Sequence, residues 1–156
     1  KNQEEGASFH IYIPLISDSE ISIPIPQKIS KGKRGQGQLI LLADDEQHLL
    51  NLNAEILESL GYKVLLARDG IEAIEVFKAH SDEIFLVMLD IMMPNCNGVE
   101  AAKRIKELDP DQAILFVSGY DKTDLLKDYQ YFYKSKVLSK PVMLEVLDKA
   151  IKDIFD

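Results

Sequence analysis

The sequence predicts an α/β protein built on a doubly wound parallel sheet of five strands. Two observations lead to this fold class. Between residues 38 and 156, five short apolar runs alternate with segments whose apolar residues recur every three or four positions. The apolar runs are continuous, as in parallel strands that are covered by helices on both faces. The chain has 156 residues, enough for one such domain plus an appendage.

The first half of the predicted domain contains two strand–helix units. A strand over 39–42 precedes a helix that ends at Gly61, because glycine commonly follows the last turn of a helix. The second strand, Lys63–Ala67, precedes a helix for which Asp69 is a suitable N-cap. The residues expected on the apolar faces of these two helices are Leu49, Leu52, Ile56, Leu60, Ile71, Ile74 and Phe77.

The second half contains three further units. An uninterrupted apolar run over 84–89 ends at Asp90, and a loop then leads into the third helix. The fourth strand is expected over 113–117, a shorter helix over 121–130 and the fifth strand over 137–138. The residues expected on the apolar faces of the third and last helices are Val99, Ala102, Ile105, Leu108, Val142, Leu144, Val146, Leu147, Ala150, Ile151 and Ile154.

The first 37 residues differ from the predicted domain. Within 1–16, apolar and polar residues alternate as in a strand with one apolar face. A lone strand cannot bury that face or pair its edges, so it must pair with another domain, another copy or the domain that follows. Residues 17–37 are rich in Pro, Gly and Lys and show no apolar period, so we interpret them as a linker. Because residue 1 is Lys, we expect the chain to be a fragment or a processed product.

Charge and composition exclude several classes of protein. The net charge of −8 disfavours nonspecific binding to nucleic acid. Cys96 is the only cysteine, so neither an intramolecular disulfide nor a cysteine-based zinc cluster can form. No apolar run reaches the roughly 18–20 residues needed to span a bilayer, so we expect no membrane contact by this fragment.

Polar side chains stand at the carboxyl ends of four predicted strands. Asp44 and Asp45 follow the first strand, Asp90 the third, Ser118 the fourth and Lys140 the fifth. These ends meet at one edge of a parallel sheet, where open α/β sheets bind ligands. Three neighbouring carboxylates repel one another and need a counter-charge, and oxygen ligands suit Mg²⁺.

This set of groups suits phosphoryl transfer. A divalent cation, the Lys140 ammonium and the Ser118 hydroxyl could together neutralise the oxygens of a transferring phosphoryl group. An aspartate carboxylate is a competent nucleophile for such chemistry. Asp90 is the best candidate, because it ends the most apolar strand and the other groups can flank it.

Four motifs together resemble the receiver domain of two-component response regulators. They are Asp44–Asp45, the segment 90–98 (DIMMPNCNG), Ser118–Gly119 and Lys140–Pro141. The resemblance covers 38–156, and it implies a flavodoxin-like receiver fold with strand order 2-1-3-4-5.

The resemblance also implies roles for individual residues. Asp90 would accept a phosphoryl group from a phosphohistidine in a reaction that requires Mg²⁺, for which Mn²⁺ could substitute. Ser118 would be the switch hydroxyl, Lys140 the phosphate-binding lysine, and the Lys140–Pro141 bond would be cis. The implied metal ligands are Asp44, Asp45, Asp90 and the backbone carbonyl of Met92.

The implied partners are a histidine kinase or a histidine phosphotransfer domain. A homodimer could form through 1–16, or through the face built by the helix at 121–130, the fifth strand and the last helix. We expect a bacterial protein of the cytoplasm that takes part in a phosphorelay.

The segment 6–14 (GASFHIYIP) resembles the closing strand of a histidine-kinase ATPase domain. Followed by a linker and a receiver, it implies the C-terminal receiver of a hybrid sensor histidine kinase whose parent chain could be anchored in a membrane. The kinase's nucleotide-binding boxes are absent from this sequence, so we expect no ATP binding by the fragment.

Three positions depart from the family pattern. Val137 stands where the family often has an aromatic switch residue, which places the usual coupling of hydroxyl and ring in doubt. Met92 and Tyr120 occupy positions that tune hydrolysis of the aspartyl phosphate in the family. Neither side chain is suited to orient an attacking water, so we expect a fairly long-lived phosphoryl state.

Two other classes of function remain open at this point. A phosphatase or phosphotransferase of the haloacid-dehalogenase type also uses an aspartyl nucleophile, but it requires a second Asp two residues later, where this chain has Met92. The other class is an interaction scaffold that is never phosphorylated. Such receivers usually lose an acidic residue or the lysine, and all of these are retained here.

Overall fold

The computed structural model describes residues 35–119 and 136–155. In this part of the chain, five parallel strands form one sheet in the order β2-β1-β3-β4-β5. The predicted fold class and strand order are confirmed. The strand expected within 1–16, most of the linker, Tyr120 and the helix expected over 121–130 lie outside the described residues.

The described elements follow one another in the predicted order, and several extend one or two residues beyond the predicted limits. Their bounds are β1 Leu39–Ala43, α1 Gln47–Ser59, β2 Lys63–Ala67, α2 Gly70–His80, β3 Ile84–Asp90, α3 Gly98–Leu108, β4 Ile114–Ser118, β5 Lys136–Ser139 and α4 Leu144–Phe155.

The sheet carries a hydrophobic cluster on each face. Within β1, Ile40 and Leu42 face the cluster formed with α1 and α4, whereas Leu41 and Ala43 face the cluster formed with α2 and α3. Successive side chains of a strand point to opposite faces, so a strand covered on both sides must be apolar at every position. This explains the continuous apolar runs of β1, β3 and β4.

Local hydrogen bonds fix the helix ends. The Asp69 carboxylate accepts a hydrogen bond of 2.8 Å from the Glu72 N–H and caps α2, as predicted. Asn97 and Glu100 form a reciprocal capping box at the start of α3. Gly61, with φ +93°, follows Leu60, the C-cap of α1, in the left-handed conformation that ends many helices.

The prediction of the buried helix faces was partly wrong. Four of the predicted residues are exposed: Leu52 (48%), Ile71 (45%), Leu108 (52%) and Val146 (49%). Leu50 and Leu57 are instead almost completely buried. Apolar residues occupy more than one helical register in α1, so periodicity alone selected leucines that face away from the sheet.

The amino edge of the sheet, where the strands begin, also receives the residues that lead into β1. The Gly35 N–H donates to the Leu60 carbonyl and the Gly37 N–H to the Gly61 carbonyl, each at 2.9 Å. Both glycines lie within the predicted linker, but these bonds join them to the turn between α1 and β2. Among the described residues, no helix combines the length and apolarity that a bilayer crossing requires.

Candidate functional site

The carboxyl edge of the sheet, where the strands end, brings the predicted site residues together. Asp44 directly follows β1, Asp90 ends β3, Ser118 ends β4 and Lys140 directly follows β5. Asp44, Asp90 and Ser118 are between 1% and 4% exposed. These polar groups are therefore buried at the top of a hydrophobic sheet, where each needs a partner.

Three carboxylates converge at this edge. One carboxylate oxygen from each of Asp44, Asp45 and Asp90 lies within 4.8 Å of the others. Asp44 and Asp90 are buried, while Asp45 is exposed. Carboxylates at this separation repel one another unless a cation lies between them.

Lys140 supplies part of that positive charge. Its Nζ lies 2.8 Å from Asp44 Oδ2 and 2.8 Å from Asp90 Oδ2. Burial acts to lower the pKa of Lys140, but the hydrogen bonds to Asp44 and Asp90 outweigh it and raise the pKa above its usual value. Lys140 is therefore a permanent cation shared by two buried acids.

The environment of Asp44 opposes its charge. Burial raises the pKa of Asp44 above its usual value, although hydrogen bonds from Lys140 and from the Glu46 N–H act to lower it. The Glu46 N–H donates to Asp44 Oδ1 at 3.0 Å. We therefore expect the ionised Asp44 to gain from any further cation placed at the site.

Both oxygens of the Asp90 carboxylate have partners. Oδ2 accepts from Lys140 at 2.8 Å, and Oδ1 accepts from the Met92 N–H at 3.2 Å. One of these donors is carried by the turn after β5, and the other by the loop between β3 and α3. The orientation of the Asp90 carboxylate therefore depends on both segments.

The backbone of Lys140 is held by β4. The Ser118 carbonyl accepts from the Lys140 N–H at 2.8 Å, in line with the parallel pairing of Ser118 and Ser139. The Lys140–Pro141 peptide is cis, as the resemblance implied. Ser118 and Lys140 are thus placed side by side at the carboxyl edge.

Glu46 is a site residue that the sequence analysis did not select. Its Oε1 lies 3.6 Å from Lys140 Nζ, and its side chain is 64% exposed. Glu46 directly follows the two aspartates in the sequence, but it is not adjacent to the end of β1 and so was not predicted.

The donor set fits a hard divalent cation. Three carboxylates and one ammonium leave a net formal charge of −2 around the three aspartate oxygens. All three side-chain donors are oxygens, which suits Mg²⁺ and Mn²⁺ better than a softer metal.

Comparison with known proteins agrees with the fold. Residues 40–152 match the model of the response regulator receiver domain family. The chain belongs to the response-regulator receiver family, whose members act as phosphoacceptors in two-component signalling. This assignment favours the receiver over the phosphatase alternative.

Among curated proteins, the receiver protein CpdR of Brucella abortus is 35% identical over 113 residues, which cover 72% of this chain and 92% of CpdR. The chemotaxis protein CheY of Treponema pallidum is 31% identical, covering 83% of this chain and 85% of CheY. The sensor kinase CckA of Brucella abortus is 27% identical over 97% of this chain but only 17% of its own length. The chain therefore spans most of the small receivers and a small part of the kinase.

Solved structures show the same fold. The receiver domain of the hybrid histidine kinase CckA superposes with a TM-score of 0.63 at 26% identity, covering 76% of this chain and 99% of that domain. The response regulator TrrA of Thermotoga maritima, in complex with Mg²⁺ and beryllium fluoride, gives a TM-score of 0.66 at 28% identity and covers 75% of this chain and 98% of TrrA.

Proposed function

We propose that Asp90 accepts a phosphoryl group from a phosphohistidine of a histidine kinase or histidine phosphotransfer domain. The observation that carries this proposal is the contact of 2.8 Å between Lys140 Nζ and Asp90 Oδ2, at an edge that also collects Asp44 and Asp45. A buried carboxylate with a fixed ammonium and two acidic neighbours is poorly explained by stability alone, because the acids repel one another.

The reaction is a displacement at phosphorus. A carboxylate oxygen of Asp90 forms the new P–O bond, the P–N bond of the donor breaks, and the imidazole nitrogen leaves with the bonding electron pair. Lys140 and the Ser118 hydroxyl stabilise the negative charge on the phosphoryl oxygens. The orientation of the Asp90 carboxylate comes from the Met92 N–H on one oxygen.

A divalent cation completes the charge balance. Asp44, Asp45, Asp90 and the Met92 carbonyl would hold Mg²⁺, with Mn²⁺ as a substitute, and the ion would supply positive charge to the phosphoryl oxygens. The acidic cluster supports this assignment, since its three carboxylate oxygens lie within 4.8 Å of one another.

Phosphorylation would then act as a switch. It adds negative charge and acceptor oxygens at Asp90, which draw Ser118 and Lys140 towards the new group. The movement would change the face that includes β5 and α4, which is one candidate surface for a partner or for a second copy; 1–16 is the other. Val137 is half-buried in β5 and is not aromatic, so any coupling of Ser118 to this face would not use a ring at that position.

The larger context is a hybrid sensor histidine kinase. The alignment with CckA covers 97% of this chain, so it extends well beyond the receiver match at 40–152. This supports the assignment of 1–16 to a kinase-derived strand, of 17–37 to a linker whose last residues bond to the receiver, and of 38–156 to the receiver. A cytoplasmic location follows from that origin.

The test is phosphorylation by a small phosphodonor. Wild type and Asp90→Asn are incubated with acetyl phosphate and Mg²⁺, and the intact mass is recorded. We expect a gain of one phosphoryl group in wild type only, and its loss when EDTA replaces Mg²⁺. An equal gain in both proteins would place the acceptor elsewhere.

The lifetime of the phosphoryl group is a separate expectation. Because the Met92 side chain is apolar and 52% exposed, it cannot orient a water for attack on the aspartyl phosphate. Met92→Asn should therefore accelerate loss of phosphate, measured from the decay of the phosphorylated mass. No acceleration would contradict this explanation.

A further inference from the structure

Residues 91–97 form the loop between β3 and α3, here the acceptor loop, which directly follows Asp90. Asn95 in this loop has φ +63°, and among the described residues it is the only non-glycine with a positive φ. A left-handed backbone is unfavourable for most side chains, and asparagine tolerates it better than most. Such a residue persists where its surroundings hold it in place.

The Asn95 side chain is held by the start of α2. Its Nδ2 donates to Asp69 Oδ2 at 3.3 Å, while Asp69 Oδ1 accepts from the Glu72 N–H at 2.8 Å. One carboxylate therefore caps α2 with one oxygen and binds the acceptor loop with the other. The two partners are 26 residues apart in the chain, so this bond joins separate strand–helix units.

The next residues reinforce this contact. The Gly70 N–H donates to the Cys96 carbonyl at 3.2 Å. A Cβ at Gly70 would overlap the Cys96 carbonyl oxygen and approach its Sγ, so α2 begins in direct contact with the acceptor loop. The loop is thus attached to α2 by a side-chain bond and by a backbone bond at neighbouring positions.

The other end of the acceptor loop reaches the reacting carboxylate. The Met92 N–H donates to Asp90 Oδ1 at 3.2 Å, and the Gly98 N–H donates to the Ile91 carbonyl at 3.1 Å. A displacement of the loop would therefore change the position of the Met92 backbone. That backbone orients Asp90 and, in the proposed function, supplies a metal ligand.

We propose that Asp69 and Asn95 form a latch that positions the acceptor loop for divalent cation binding. Both are positioning residues, which act through Met92 and Asp90 without touching the ion. The proposal rests on the proposed function, because it concerns the cation site of the same reaction.

The experiment measures the affinity of the unphosphorylated protein for Mg²⁺ by isothermal titration calorimetry, and for Mn²⁺ by electron paramagnetic resonance. Asn95→Gly removes the side-chain bond but accepts the left-handed backbone, and it leaves the net charge unchanged. Asp69→Ser keeps an N-cap for α2 but removes the oxygen that binds Asn95. Each variant should weaken the Mg²⁺ and Mn²⁺ affinities about threefold to tenfold, as expected for one lost hydrogen bond.

The double variant tests whether the two residues act together. The double variant Asn95→Gly/Asp69→Ser should bind Mg²⁺ with about the affinity of the single variant that binds it more weakly, because both changes remove the same bond. Independent, multiplying losses would overturn the latch.

A matched control separates the lost bond from the lost charge. Asp109→Ser also removes one carboxylate that accepts a backbone bond, from the Asp111 N–H at 2.9 Å, but it lies at the opposite end of α3. Its Mg²⁺ affinity should equal that of wild type, and urea unfolding should show that every variant is folded.

The outcomes distinguish the latch from the proposed function. Mg²⁺ affinity of folded Asn95→Gly equal to that of wild type would overturn the latch and leave the phosphoacceptor proposal standing. Absence of Mg²⁺ binding by wild type itself would overturn both.

Discussion

Two lysine–aspartate pairs at opposite ends of β5 have nearly equal lengths and different surroundings. At the amino edge, Lys136 Nζ lies 2.7 Å from Asp153 Oδ2, and the two side chains are 36% and 45% exposed. At the carboxyl edge, Lys140 Nζ lies 2.8 Å from Asp90 Oδ2, and these side chains are 11% and 5% exposed. Distance alone does not separate the two pairs.

The difference between the two edges is in what surrounds each lysine. Lys136 and Asp153 are solvated, so water can replace either partner at little cost. Lys140 is the cation of two buried acids, and water cannot replace it without leaving those acids uncompensated. The acids at the carboxyl edge therefore repel one another, and a metal ion or a phosphoryl group can relieve this repulsion. Among the described residues, no comparable group of three acids lies at the amino edge.

The largest expected effect comes from removing each lysine in turn. In metal-free buffer, Lys140→Met should lower the free energy of unfolding by about 3 kcal/mol, because it leaves buried carboxylates without a counter-charge. The matched change Lys136→Met should have a much smaller effect, because its partner is solvated. Urea unfolding at pH 7 measures both.

Adding Mg²⁺ sharpens this contrast. Mg²⁺ should restore part of the stability that Lys140→Met loses relative to wild type. The difference in stability between Lys136→Met and wild type should be the same in Mg²⁺ as in EDTA. Equal losses for the two lysines would break the comparison.

The next effect concerns backbone contact at the carboxyl edge. A Cβ at Gly98 would overlap the Asp90 carbonyl oxygen, whereas a Cβ at Gly119 would meet no atom of the described residues within 4 Å. Gly98→Ala should therefore lower the free energy of unfolding by about 1–2 kcal/mol and slow phosphorylation, because it displaces Asp90. Gly119→Ala is the control and should change neither quantity. If Gly98→Ala is phosphorylated at the wild-type rate, the contact is not required.

A smaller effect, of opposite sign at the two edges, is expected from Asp→Asn changes. Asp45→Asn removes one of three mutually repelling carboxylates, so it should raise the free energy of unfolding in EDTA by about 0.5–1 kcal/mol. Asp153→Asn removes a paired carboxylate and should slightly destabilise the fold. Urea unfolding in EDTA and in Mg²⁺ checks both, and Mg²⁺ should stabilise Asp45→Asn less than wild type. A lower free energy of unfolding for Asp45→Asn than for wild type in EDTA would contradict mutual repulsion among the three carboxylates.

The smallest effect is expected in how the stability contributions of Asp44 and Asp153 depend on pH. Burial raises the pKa of Asp44, whereas the hydrogen bond from Lys136 lowers the pKa of Asp153. Asp153 thus stabilises the fold above its unfolded pKa of about 4 and loses this contribution as the pH falls through its lower folded pKa. Asp44 has the reverse sign, so its contribution declines as the pH rises from about 4 through its raised folded pKa. Carbon-detected NMR of the carboxyl groups in EDTA should find Asp44 titrating above Asp153, and the opposite order would contradict this assignment.

The sequence was sufficient to predict the fold and where most of the site residues lie, and the reason is physical. A strand covered on both faces must be apolar throughout, so β3 was recognisable, and the first polar residue after it had to lie at the sheet edge. Asp44 and Asp90 were placed correctly for this reason, and the side of the sheet that carries the site followed from the parallel strand direction.

Features that depend on tertiary contact were not predictable in this way. Leu52 and Ile71 belong to helices with apolar residues in more than one register, and only packing selects the buried face. The bond between Asp69 and Asn95 spans 26 residues, and neither side chain carries a local signal of its partner. Glu46 approaches Lys140 only because β1 and β5 end at the same edge.

The most direct test of the central claim is to locate the phosphoryl group on the chain. After phosphorylation with acetyl phosphate and Mg²⁺, borohydride reduction converts an aspartyl phosphate to homoserine, which peptide mass spectrometry can locate. We predict homoserine at position 90 in wild type, and none in a sample treated with EDTA before the phosphodonor is added. Homoserine at position 44 or 45, with Asp90 unmodified, would contradict the assignment of Asp90 as the acceptor.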